Sequence, residues 1–183
     1  MRPLAPPNYL AGYPAHLADS VRETIACGKL GGILLKTYPQ PHDVRTDRSL
    51  YDYVQAIRNR YLKNSAPLSK VAYDSKLQLL HKALGTHSTV PRVQGGKLKA
   101  KREIRIAGIF RDMPDAFLRM IVVHELAHLK ESEHNKAFYQ LCQHMEAQYF
   151  QLEFDLRAYL TYLDAGGEPL WPSTTSPTPG ADG

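Results

Sequence analysis

Two histidines four positions apart, with a glutamate beside the first, form the segment His124-Glu125-Leu126-Ala127-His128, and His134 follows ten residues after the first. On a helix, positions i and i+4 share a face, so His124 and His128 present both imidazoles to one point and can grip one metal ion. Three neutral imidazoles are a known catalytic zinc set that leaves the fourth tetrahedral corner to water, whose pKa the ion lowers to about 7. Glu125 sits next to a ligand but is poorly aimed to be one. It is placed to take a proton from that water as it attacks a carbonyl or phosphoryl centre, and to pass it to the leaving group. The chemistry indicated is hydrolysis at a zinc site, with His124, His128 and His134 as ligands and Glu125 as general base. Two other readings compete. The histidines could be core residues satisfied by backbone carbonyls, or ligands of a structural zinc. A structural site usually fills all four positions with protein ligands, and no fourth His or Cys stands at a suitable spacing.

The element that must position these groups is a helix. Phe117, Leu118, Met120, Ile121, Val122, Val123, Leu126, Ala127 and Leu129 leave it apolar on nearly every side, the mark of a core helix. It would carry two imidazoles and a carboxylate inward, where an unpartnered neutral polar group costs about 2–7 kcal/mol. A bound metal removes that penalty. The spacing predicts the helix over about residues 113–130, with Asp112 as cap, Pro114 tolerating the missing donor of the first turn and Asp115 suiting the positive end. Lys130 to Glu133 read as a polar turn that returns His134 to the metal.

Around it, Ala15 to Cys27 has Leu17, Val21 and Ile25 at helical spacing, with Gly28 as a stop, and Thr46 or Asp47 to Lys63 reads as an amphipathic helix. Leu30 to Tyr38 fits a short helix or a strand equally well. Lys70 to Tyr73 and His87 to Val93 favour strands. Between Lys97 and Ile106, Lys97, Lys99, Lys101, Glu103 and Arg105 alternate with Leu98, Ala100, Ile104 and Ile106, and Arg102 is the one misfit. With Gln94-Gly95-Gly96 as the preceding turn, this predicts an antiparallel hairpin with an apolar inner face and a cationic outer one. The lysines and Arg105 could make a weak contact with nucleic acid or a nucleotide phosphate, although lysines on an exposed edge commonly just protect it from pairing. Two helices are expected after His134.

The 183 residues suit one domain, and 43% hydrophobic with 22% charged residues is ordinary for a globular protein. Residues 1–8 and 168–183, rich in proline, read as disordered tails around a domain at 9–167. Cys27 and Cys142 form no C-x-x-C pair, so neither a disulfide framework nor a thiolate zinc site is indicated. No apolar run reaches the 18 or so residues of a membrane span, and a soluble, cytoplasmic protein is expected. The net charge of +5 permits an anionic partner without requiring one.

Read together, Arg119 to Lys130, His134, Phe138 and the Val93 to Lys99 stretch resemble the YgjP-like metallopeptidase family, a bacterial group of metal-dependent hydrolases. The resemblance runs from about Tyr9 to Leu163, including Lys70 to Asp74 and Gln151 to Asp155. It implies one Zn²⁺ per chain on His124, His128 and His134, Glu125 as acid/base, and an α+β, zincin-like fold. In that fold a small antiparallel sheet packs on an active-site helix, with additional N- and C-terminal helices. It makes a peptide or protein the default substrate. A second reading is nucleoside triphosphate pyrophosphohydrolysis at the same metal, and a third is a DNA-associated module with a structural zinc. Metzincin proteases with the same histidine interval carry a glycine where this chain has Glu131, so the turn to His134 must be built differently. Met145 reads as a gap-filling core residue. Glu153 and Asp155 are candidates for orienting a ligand imidazole. His16, His42, His81, His87 and His144 have no comparable spacing and read as surface or locally bonded.

Overall fold

The computed structural model describes residues 8–65, 67–77 and 102–172. The histidine pair lies on α4 (Asp115–Ala127), a helix with Phe117, Leu118 and every residue from Met120 to His124 buried. Pro114 takes the N-cap position. Asp112 instead accepts from Arg45 Nη1 at 3.0 Å, so the expected cap is an ion pair with the loop before the third helix.

Three helices precede the sheet. In α1 (Ala15–Ala26), Ala18 and Val21 are buried, and the chain leaves through Gly28, whose φ of +67° is one that side chains oppose. The ambiguous stretch is a helix, α2 (Leu30–Thr37), with Leu30 and Leu34 buried one turn apart. A capping box starts α3 (Asp47–Tyr61): Thr46 Oγ1 accepts from the Ser49 backbone N–H, and Ser49 Oγ accepts from that of Thr46. Leu50, Val54 and Ile57 make its buried face.

The strands β1 (Leu68–Asp74) and β2 (Arg102–Ala107) pair in parallel, with Val71 opposite Ile104 and Tyr73 opposite Ile106. This corrects the antiparallel expectation. The glycine turn at residues 95 and 96 points to a hairpin, but the described partner of β2 is β1. The intervening stretch from Ser75 to Lys101 exceeds the dozen or so residues that a parallel connection needs. The expected strand at His87 to Val93, and Lys97, Lys99 and Lys101, lie outside the described residues. On β2 the alternation is as expected: Ile104 and Ile106 are buried, Glu103 and Arg105 exposed.

A 3-10 turn, Gly108–Asp112, joins β2 to α4. After it, α4 packs on α5 (Lys136–Met145) and α6 (Tyr149–Asp164), while its other side meets β2 and α3. The class is α+β. A second correction concerns the C-terminal tail: Trp171, placed in a disordered segment, is buried. Its ring stands 5.9 Å from Phe117 and 4.9 Å from Tyr159, and its Nε1–H donates to the Tyr38 carbonyl at 2.8 Å. One large aromatic with a polar handle anchors residues 168–172 where composition alone indicated too little apolar surface. Among the described residues no helix is long and apolar enough to cross a membrane.

Candidate metal centre

The three histidines predicted from spacing converge. Their Nε2 atoms form a nearly equilateral triangle: 3.3 Å between His124 and His128, 3.3 Å between His124 and His134, and 3.1 Å between His128 and His134. Three nitrogens bound to one tetrahedral metal at about 2.0–2.1 Å stand about 3.3 Å apart, so the triangle is of the right size.

Hydrogen bonding at the far side of two rings fits the same purpose. His128 Nδ1 lies 3.0 Å from the Glu131 carbonyl oxygen. A carbonyl can only accept, so Nδ1 carries the proton, and in the neutral ring Nε2 is left as a lone pair aimed at the trio. His124, 3% exposed, has its Nδ1 2.7 Å from the Tyr149 hydroxyl. With Nδ1–H donating to Tyr149 Oη, Nε2 of the neutral His124 ring is left as a lone pair toward the other two histidines. Burial pushes the Cys142 thiol up to about 12 and raises the Tyr149 phenol too, so both stay neutral beside the ring. Lone pairs converging at such distances repel one another unless a cation lies between them. The donor set therefore fits a metal ion.

Phe138 closes one face of the trio, its ring 4.5–5.0 Å from all three imidazole centroids. The turn to His134 needs no glycine. Leu129 and Lys130 tighten the helix end by donating back to the Leu126 and Ala127 carbonyls, both at 3.0 Å, and no described non-glycine residue has positive φ. Asn135 then caps α5 through its side-chain oxygen, which accepts from Phe138 N–H at 2.9 Å. The cap fixes the residue after His134 and the ring beneath it together.

Glu125 points from the same helix, partly exposed, with no hydrogen-bond donor to its carboxylate among the described residues. Dense protein around it raises its carboxyl to about 7 by desolvation. An acid near neutrality, unencumbered by a salt bridge, is suited to accept and return a proton.

The candidate orienting carboxylates serve elsewhere. Glu153 accepts from Arg157 at 2.9 Å, and Asp155 accepts from the Tyr38 hydroxyl at 2.6 Å and from Gln151. The group that sequence reasoning missed is Tyr149, whose only clue was that a buried tyrosine needs a hydrogen-bond partner. Arg105, from the expected cationic face, is held by Asp74 at 3.0 Å and Glu103 at 3.6 Å.

A model of the YgjP-like metallopeptidase domain matches residues 68–159, which span both strands, the three histidines, Glu125 and Tyr149. The chain is also 60% identical over 159 residues to the UTP pyrophosphatase of Escherichia coli strain K12, covering 87% of this chain and 95% of that one. The chain belongs to the YgjP-like family. No solved structure matches it. Membership and the histidine trio together make it a metal-dependent hydrolase.

Proposed function

We propose that this chain hydrolyses a nucleoside triphosphate, UTP or a close analogue, to the monophosphate and pyrophosphate. The ligands are His124, His128 and His134, and Glu125 is the general base. The observation that carries the substrate is the 60% identity to a UTP pyrophosphatase along nearly the full length of both chains. The reaction type rests on the site: three convergent imidazole nitrogens and a desolvated carboxylate on the same helix.

Zinc is the metal that three neutral imidazoles favour, and when bound it supplies positive charge for a phosphoryl oxygen and lowers the pKa of a water. Glu125 takes a proton from the attacking water as its oxygen bonds to the α-phosphorus. It returns that proton to the departing pyrophosphate as the α–β bridging P–O bond breaks. Glu131, through its carbonyl, and Tyr149, through its hydroxyl, keep the imidazoles in the ligating tautomer throughout.

Peptide hydrolysis is the second reading, favoured by the metallopeptidase description of the matched family domain and by the His-Glu-x-x-His pattern. The two separate cleanly. Purified, metal-loaded protein is given UTP, and uridine monophosphate and pyrophosphate are quantified, with a peptide library run in parallel. Equimolar release of the two products is expected, falling about 10²-fold or more in Glu125→Gln while bound metal is unchanged. Peptide cleavage without pyrophosphate release overturns the nucleotide reading, and a Glu125→Gln variant as fast as its parent removes Glu125 as base.

A further inference from the structure

Arg102 breaks the pattern of the strand it opens. Side chains two apart on a strand share a face, so Arg102 stands on the side of Ile104 and Ile106, which are 3% and 0% exposed, and not with Glu103 and Arg105. A guanidinium does not belong in that apolar layer, and it escapes it. β2 leads through the 3-10 turn into α4, and the two run back along each other, so the first residue of the strand lies beside the last turn of the helix. There Arg102 is exposed, and its Nη1 donates to the Leu129 carbonyl at 3.0 Å.

Leu129 directly follows His128, so this bond fastens a cation to the backbone one residue beyond a proposed ligand. Arg45, Arg105, Arg119 and Arg157 each meet a carboxylate, whereas Arg102 meets none among the described residues. One of the five guanidinium N–H groups serves the carbonyl, which leaves the planar fork able to take a phosphate through two parallel hydrogen bonds.

We propose that Arg102 binds the pyrophosphate end of the nucleotide, holding non-bridging β- and γ-phosphate oxygens beside α4 while the α-phosphorus faces the histidine trio. This rests on the nucleotide reading above. The rival role is a plain helix cap, since a cation near a helix C-terminus is favourable on its own. Arg102→Gln distinguishes the two, because glutamine keeps a donor for the Leu129 carbonyl and loses the charge and the fork.

The test uses metal-loaded full-length wild type, Arg102→Gln and Arg102→Lys, measuring KM and kcat for UTP, the inhibition constant of inorganic tripolyphosphate, melting temperature and bound metal. In Arg102→Gln, KM and the tripolyphosphate constant should both rise about tenfold or more, with kcat within a few-fold and melting temperature and metal content unmoved. Arg102→Lys should fall between. If both constants equal those of wild type in the two variants, or if only melting temperature and metal content fall, the residue is a cap and the inference is overturned. If the glutamine variant does not fold, Arg102→Lys decides: a raised KM at unchanged melting temperature supports the inference, an unchanged KM overturns it. Wild type that releases no pyrophosphate from UTP overturns both readings, while active wild type with unaltered variants overturns this one alone.

Discussion

His128 has one ring nitrogen committed to a carbonyl and the other to the centre of the trio, and His124 is committed in the same way through a phenol. The Tyr149 bond is the more exacting, because it is buried and reaches His124 from another helix. Tyr149→Phe should therefore lower metal affinity about 10–100-fold, read by competition against a chromophoric chelator, with a melting temperature of the metal-free protein close to wild type. Equal affinity in the two proteins would show that Phe138 and the backbone alone hold the ring. His124→Ala should lose bound metal and the stabilisation that metal gives, whereas Glu125→Gln should lose neither. At this scale the convergence of the three histidines is legible in the sequence, and what orients them is not. Spacing on one helix is a local rule, but Tyr149 reaches His124 from another helix, and no periodicity encodes that.

Among elements, α5 depends on its cap. Asn135→Ala removes the acceptor of the Phe138 N–H and should cost about 1 kcal/mol in chemical denaturation. Because His134 immediately precedes the cap and Phe138 floors the site, metal affinity should fall with it. A loss of stability with unchanged affinity would separate the cap from the site. The loop between α2 and α3 is fastened by His42, whose sequence context indicates only a surface or locally bonded residue. It is 6% exposed. Its Nε2–H donates to the Phe110 carbonyl at 2.7 Å, its Nδ1 accepts from Val44 N–H at 3.0 Å, and its backbone N–H donates to the Met113 carbonyl. Both ring nitrogens are used in the neutral form. Desolvation lowers its folded-state pKa, against the raising influence of the Phe110 bond. Above about pH 6.5 both folded and unfolded states are neutral and His42 adds no pH dependence. As pH falls through that value the unfolded chain takes up the proton first, so stability declines until the lower folded-state value is reached. His42→Ala should be less stable at pH 8 and show a shallower acid slope than wild type. Parallel slopes would exonerate the residue.

On the scale of the whole molecule, the helical order was readable because hydrophobic periodicity reports which face is buried, as Leu50, Val54 and Ile57 show. Strand direction was not, because the same apolar and polar alternation serves a parallel or an antiparallel partner, and glycines at a plausible turn tipped the expectation towards a hairpin. The tail failed for another reason: composition averages over sixteen residues, and a single Trp171 seated on Phe117, Tyr159 and the Tyr38 carbonyl outweighs the average. That contact joins the end of the domain to the first turn of α4 and to α2. Trp171→Ala should therefore destabilise the fold by up to about 3–5 kcal/mol, the range for truncating a buried large aromatic. Phe117 lies nearly two turns before His124 on α4, so the damage falls on the half of the helix that carries no ligand. Metal should still bind the folded fraction with wild-type affinity, and the rise in melting temperature on metal loading should match that of wild type, as expected for separated, additive sites. If metal affinity drops with stability, the C-terminal anchor tunes the site through α4 and does not merely fasten the chain end.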